Sequence, residues 1–358
     1  MKPRATTHLL VDTLRVPEIA FSYGVREWEA LVWQSRSAEL MAQLYVALDK
    51  ADVLAAAPAA ARRHLTIAKT IADKHTAAIE SELIALREAL EPLGMPVVLL
   101  KGAAYCGLQH HASLGRLFND IDIMVPKHAL AAAEERLLWA GWLPSHTSAY
   151  DQRYYRNWMH EIPPLEHKHR ATVLDVHHTI LPPTSGIKPD PKDLFEASIP
   201  LSGNLSFFRV LGRADMVIHS ACHLFFGEFH KGLRDLHDLH LLLSDFGAEE
   251  QFWRDLVARA NALNLALPLL DALTQCNRLY HTQVPARVFA DLGRLGTSPY
   301  PTFLRNWLFE HALRPVHTSA FGWTTWLAHR AVFVRSHWLR MPLPLLLYHL
   351  TYKVFFTK

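Results

Sequence analysis

The chain of 358 residues carries only three cysteines, Cys106, Cys222 and Cys276, far apart and with no Cys-x-x-Cys pair. That scarcity excludes a disulfide framework and a cysteine zinc site, and it fits a reducing cytoplasm. No stretch approaches the ~20 consecutive apolar residues that span a bilayer. A basic-then-apolar leader is missing from the N-terminus as well. Charge of one sign is equally scarce. A formal net charge of +3 over the whole chain offers bulk electrostatics no nucleic-acid partner. What is present is apolar: 50% of the residues are hydrophobic and 20% charged, a balance that buries a sizeable core. The expectation is a soluble, cytoplasmic, globular protein.

The pattern along the chain predicts an α+β fold, a small mixed β-sheet core flanked by N-terminal and C-terminal helical regions. Over residues 1–94, Leu65, Ala68, Ala72, Ile79, Leu83, Leu86 and Leu90 keep a helical period until Gly94 and Pro96 stop it. Residues 95–185 alternate strand, helix and strand, with Leu130, Ala133 and Leu137 marking a helix that Gly141 ends. The loop-forming Pro182-Pro183-Thr184-Ser185-Gly186 marks a domain edge, and residues 186–358 read as helical, broken by Pro342 and Pro344. Near the end, Arg335, Arg340 and Lys353 interleave with Trp338, Tyr348, Tyr352 and Phe355. Basic and aromatic residues together suit peripheral membrane contact. The apolar centre Met341–Leu347 is short and proline-broken, which favours a helix docked on the body instead.

The most informative segment is Asn119-Asp120-Ile121-Asp122-Ile123-Met124-Val125. On a strand, Asp120 and Asp122 share one face while Ile121 and Ile123 share the other. Like charges held side by side are costly, strands disfavour aspartate, and a divalent cation is the common answer. Upstream, the apolar run Pro96-Val97-Val98-Leu99-Leu100 delivers Lys101-Gly102-Ala103 to the start of a helix, a turn whose amides suit a phosphate. Arg116 stands between and suits bidentate phosphate contact. Downstream, Thr172-Val173-Leu174-Asp175-Val176-His177 adds a third carboxylate on an alternating strand, an oxygen-rich set for Mg²⁺ or, less favoured, Mn²⁺. His177 reads as a packed histidine, with a place behind the metal site as the alternative.

This combination of Lys-Gly, Arg, Asp-x-Asp and Asp-x-His resembles the polymerase-beta-like nucleotidyltransferase superfamily, and within it a bacterial group of uncharacterised nucleotidyltransferases, over roughly residues 95–245. The chain departs from the superfamily in having Gly102-Ala103 where Gly-Ser is usual, and in a longer gap from Gly102 to Asp120. The resemblance implies transfer of a nucleoside monophosphate, AMP from ATP, to a hydroxyl-bearing acceptor with two Mg²⁺ ions. Asp120, Asp122 and Asp175 would be metal ligands and catalytic residues. Lys101, Gly102, Ala103 and Arg116 would bind the triphosphate. The acceptor class stays open between a small molecule and a protein, with nucleic acid disfavoured. Two rival readings stand beside it. One is a nucleotide-binding regulatory protein without turnover. The other is a His-Asp metal phosphohydrolase built on His219, His223, His237 and Asp238, for which packed histidines along the cleft are the simpler explanation.

Overall fold

The computed structural model describes residues 7–356, with side chains described as far as Tyr352. The expected helical N-terminal region is α1 (Leu9–Arg15), α2 (Val25–Ser37), α3 (Met41–Lys50) and α4 (Ala59–Leu90). Helix α4 buries Leu65, Ala72, Ile79, Leu83, Leu86 and Leu90, the stripe set by its period, and packs Ala68 at the margin of the same core. It passes through a short 3₁₀ turn to Gly94, whose φ of +61° closes the segment in the left-handed region that favours glycine.

The chain then enters the sheet. β1 (Val97–Leu99) is buried throughout and runs into the seven-residue α5 (Lys101–Gly107). β2 (Asp120–Met124), α6 (Leu130–Trp139), β3 (Trp142–Pro144), α7 (Ala149–Trp158), β4 (Leu165–His167) and β5 (Val173–His177) follow. After α8 (Pro191–Glu196), two further strands, β6 (Ile199–Pro200) and β7 (Phe208–Val210), join the same sheet. The segment beyond residue 186, read as helical, therefore contributes strands before its helices begin. At two and three residues they are too short to show a period.

The seven strands are ordered β3-β4-β5-β2-β1-β7-β6. β2 lies parallel to β5 and antiparallel to β1, while β1 lies parallel to β7, so the sheet is mixed as expected. The β2–β5 register sets Asp122 opposite Asp175 and Met124 opposite His177.

The remaining chain is helical: α9 (Arg213–Phe226), α10 (Gly232–Phe246), α11 (Glu250–Ala262), α12 (Ala266–Tyr280), α13 (Ala286–Leu295), α14 (Thr302–Ala312), α15 (Trp323–Arg340) and α16 (Leu343–Phe356). Val97, Leu99, Phe208, Ile218, Cys222 and Leu236 belong to one core that joins sheet and helices. All three cysteines are buried and free. The C-terminal helices dock as expected. Tyr150 of α7 stacks on Tyr352 and its hydroxyl meets Nδ1 of His349 at 2.8 Å, both on α16. Helix α15 turns its small residues Thr325, Ala328, Val332 and Ser336 inward and leaves Trp323, Trp326, Phe333 and Trp338 exposed. The side chains of Lys353 and Phe355 lie outside the described residues. No helix among the described residues is long and apolar enough to cross a membrane.

Candidate functional site

Asp122 is the centre of the site. Its strand is pinned beside β1, where the Leu100 amide donates to the Asp122 carbonyl at 3.0 Å. The buried carboxylate receives two donors on one oxygen: Lys101 Nζ at 2.8 Å and His177 Nε2 at 2.9 Å from Oδ1. Burial alone would push this carboxyl up. The Lys101 charge and the His177 hydrogen bond outweigh it and hold Asp122 well below the usual carboxylate range. Lys101 shows the reciprocal effect, its ammonium raised despite burial by Asp122 and Asp120. The backbone at Lys101 has φ +44°, a left-handed conformation that a side chain adopts only when its surroundings enforce it.

The other two aspartates titrate the opposite way. Asp120 is raised by desolvation and then by the Asp122 charge beside it. Asp175 is pushed well above the usual range by burial, by Glu161 and by Asp122, and its Oδ1 is buried with no hydrogen-bond partner. A carboxyl with an orphaned oxygen among other carboxyls suits a hard cation or a proton. The three carboxylates share one sheet face, yet among the described residues their oxygens do not gather within 4.8 Å as a trio.

In front of Asp120 and Asp122 opens a cavity of about 320 Å³, bounded on one side by Lys101, Gly102 and Arg116. The α9–α10 connection forms the far wall with Glu228, His230 and Lys231, and Arg340 reaches in from the end of α15. Arg116 lies here as expected, but it is anchored. Its Nε donates to Asp238 at 2.8 Å and its guanidinium lies over the rings of Tyr105 and Phe118. Ala103 is absent from the lining. It is buried in the core. Asp175 sits one strand beyond Asp122 and is not among the lining residues.

The histidines of the helical region divide. His223 lines the cavity and faces Asp235 at 3.8 Å, while His219 and His237 are buried and held neutral, chiefly by desolvation. Asp238 belongs to Arg116. Among the described residues, neither cluster able to hold a metal includes His219, His223, His237 or Asp238, so the phosphohydrolase arrangement does not form.

Sequence reasoning did not find Lys231, Arg234, Asp235 and Arg340, which line the cavity. They come from helix ends more than a hundred residues beyond Asp120, and no local spacing connects them to it. Glu161 was also missed. It lies in an irregular segment after α7 and meets β5 through an isolated bridge to His177.

No curated protein matches the chain. A sequence profile of one family does, over residues 25–281, taking in helices α2 to α4, the whole sheet and the α9–α10 wall of the cavity. That span contains every residue of the Lys101–Asp122–His177 cluster, and by it the chain belongs to the family described as uncharacterised nucleotidyltransferase.

Proposed function

We propose that the protein transfers a nucleoside monophosphate from a nucleoside triphosphate, with ATP as the donor, to a hydroxyl of a small molecule or a protein side chain. One observation carries this reading. Asp120, Asp122 and Asp175 project from one face of paired strands beside a cavity with a basic wall. The donor set is all oxygen, and the orphaned Asp175 Oδ1 fits a hard cation, so these three aspartates are the residues that would hold Mg²⁺. Bound there, Mg²⁺ supplies charge neutralisation at the transferring phosphoryl group and activation of the attacking oxygen.

The chain's own residues account for the rest. Lys101, Lys231 and Arg340 bring positive charge to the triphosphate, and Arg116 holds the Lys101-Gly102 turn against α10. The acceptor oxygen forms a bond to the α-phosphorus, the bond to pyrophosphate breaks, and the acceptor proton passes to the Asp175 carboxylate. Glu228 and Asp235, which line the cavity beside His230 and Lys231, suit a polyhydroxylated or cationic acceptor better than a nucleic-acid backbone.

The test is incubation with α-labelled ATP and Mg²⁺, with a panel of hydroxylated acceptors, for wild type and for Asp120→Asn with Asp122→Asn. Pyrophosphate release or label transfer that falls at least ~1000-fold in the double variant is the expected outcome. Binding of Mg-ATP to wild type without turnover favours the regulatory reading. Failure of both proteins to bind Mg-ATP overturns the proposal.

A further inference from the structure

Directly behind Asp122 lies a second group of ligand-type side chains: His160, Glu161 and His177, whose donor atoms all fall within 4.8 Å of one another. The backbone fixes them. Glu161 and His177 are paired across an antiparallel bridge, and the His178 amide donates to the His160 carbonyl at 2.8 Å. The two imidazoles lie with ring centres 5.0 Å apart.

Two features set this cluster apart from packed histidines. The Nδ1 atoms of His160 and His177 are both buried without a hydrogen-bond partner, and the His177 side chain is only 3% exposed. Nδ1 of His177 also stands 3.5 Å from Glu161 Oε2. That is long for an N–H···O hydrogen bond. It matches the separation of about 3.4 Å expected for two ligands, each about 2.1 Å from one tetrahedral ion. The opposite ring nitrogen of His177 bonds the Asp122 carboxylate at 2.9 Å. A carboxylate bonded to one imidazole nitrogen while the other ligates is the usual support of a metal-bound histidine, since it sets the tautomer and raises the basicity of the ligand.

A rival cluster, His110 with His111 and Asp245, lacks these features. In His110, Nδ1 accepts from the Ala112 amide and Nε2 bonds Asp245, so neither nitrogen is free.

We propose that His160, Glu161 and His177 form a binding site for a borderline transition-metal ion, Zn²⁺ by donor chemistry, distinct from the aspartate site and coupled to it through His177 and Asp122. Two imidazoles and one carboxylate select such an ion over Mg²⁺, which prefers oxygen ligands and near-octahedral geometry. Three protein ligands leave a fourth position open. The inference stands whether or not nucleotidyl transfer is the reaction, because its evidence is the donor set alone.

The experiment is metal loading of the full chain. Protein stripped with chelator is dialysed against one equivalent of Zn²⁺ in a large excess of Mg²⁺, and bound zinc is counted by mass spectrometry. One zinc per chain is expected in wild type and in His111→Ala, with at least tenfold weaker retention in Glu161→Gln and in His160→Ala. In parallel, Co²⁺ loading of wild type, which needs no variant to fold, is expected to give the visible absorption of a four-coordinate centre. Circular dichroism of each variant separates lost ligation from lost folding. Zinc displaced by excess Mg²⁺ would place the ion on the aspartates and overturn the proposal. So would zinc retained equally by folded Glu161→Gln and His160→Ala, or a wild type that binds none.

Discussion

The neighbour that requires glycine at position 102 is an arginine. A Cβ built on Gly102 would collide with Nη1 of Arg116 and meet Cε1 of Phe118 at 3.0 Å. A long side chain usually gives way cheaply, but this guanidinium is held by Asp238 and packed over Tyr105 and Phe118. Gly102→Ala is therefore expected to cost about 1–3 kcal/mol by urea denaturation, through overpacking at a pinned partner. Asp238→Asn alone should cost about 3–5 kcal/mol, because it leaves a buried guanidinium without its counter-charge. In that background the extra cost of Gly102→Ala should shrink, since Arg116 is then free to move. Strict additivity in the double variant would show that Arg116 is not what opposes the methyl group.

At the scale of elements, the joint between the N-terminal helices and the sheet rests on another glycine. Gly115 has φ +72°, and a Cβ there would meet the backbone of Ala42 and Gln43 in α3 at 2.7–2.8 Å. Backbone cannot step aside as a side chain can. Gly115→Ala is expected to lose about 3 kcal/mol or more, combining left-handed strain with overpacking. Gly94→Ala is the control, with φ +61° and nothing within 4 Å, so it should lose only about 1 kcal/mol. Equal losses in denaturant titrations would remove α3 from the account. Elements with a long pattern were legible from the residues: α4 through its leucine stripe, β2 and β5 through alternation, α6 through the spacing that ends at Gly141. Strands β3, β4, β6 and β7 were not, because two or three residues carry no period and pairing alone defines them. The same division runs through the site. Asp120, Asp122, Asp175 and Lys101 are announced by charge on apolar strands. His160 and Glu161 matter only through their position behind β5, which no spacing in the chain encodes.

At the scale of the whole molecule, the helical half keeps several histidines neutral by burial, and this makes the fold sensitive to acid. Desolvation is the first cause in each case, lowering His237 to about 3 and His240 to about 4. His237 packs against Tyr280 and His240, and its Nδ1 has no hydrogen-bond partner. Its folded pKa lies below the ordinary 6.5, so the unfolded chain takes up the proton first as pH falls. The stability it supports is complete above pH 6.5 and is lost progressively as pH drops toward 3. By pH ~5 the loss from this one residue is about 2 kcal/mol. The raised carboxyls Asp120, Glu161 and Asp175 act with the opposite sign, since each favours the folded state while protonated and that contribution disappears as pH rises. Wild-type pH dependence therefore mixes the two, and a comparison of variants separates them. His237→Phe keeps the shape and removes the proton site. Urea titrations at pH ~7, ~6 and ~5, followed by fluorescence of the buried Trp28, Trp142 and Trp253, should show its stability falling less steeply than that of wild type. The gap between the proteins should change by about 2 kcal/mol in favour of the variant across that range. Parallel curves would mean that His237 takes up its proton equally in the folded and the unfolded protein, and that the acid sensitivity of the fold lies elsewhere.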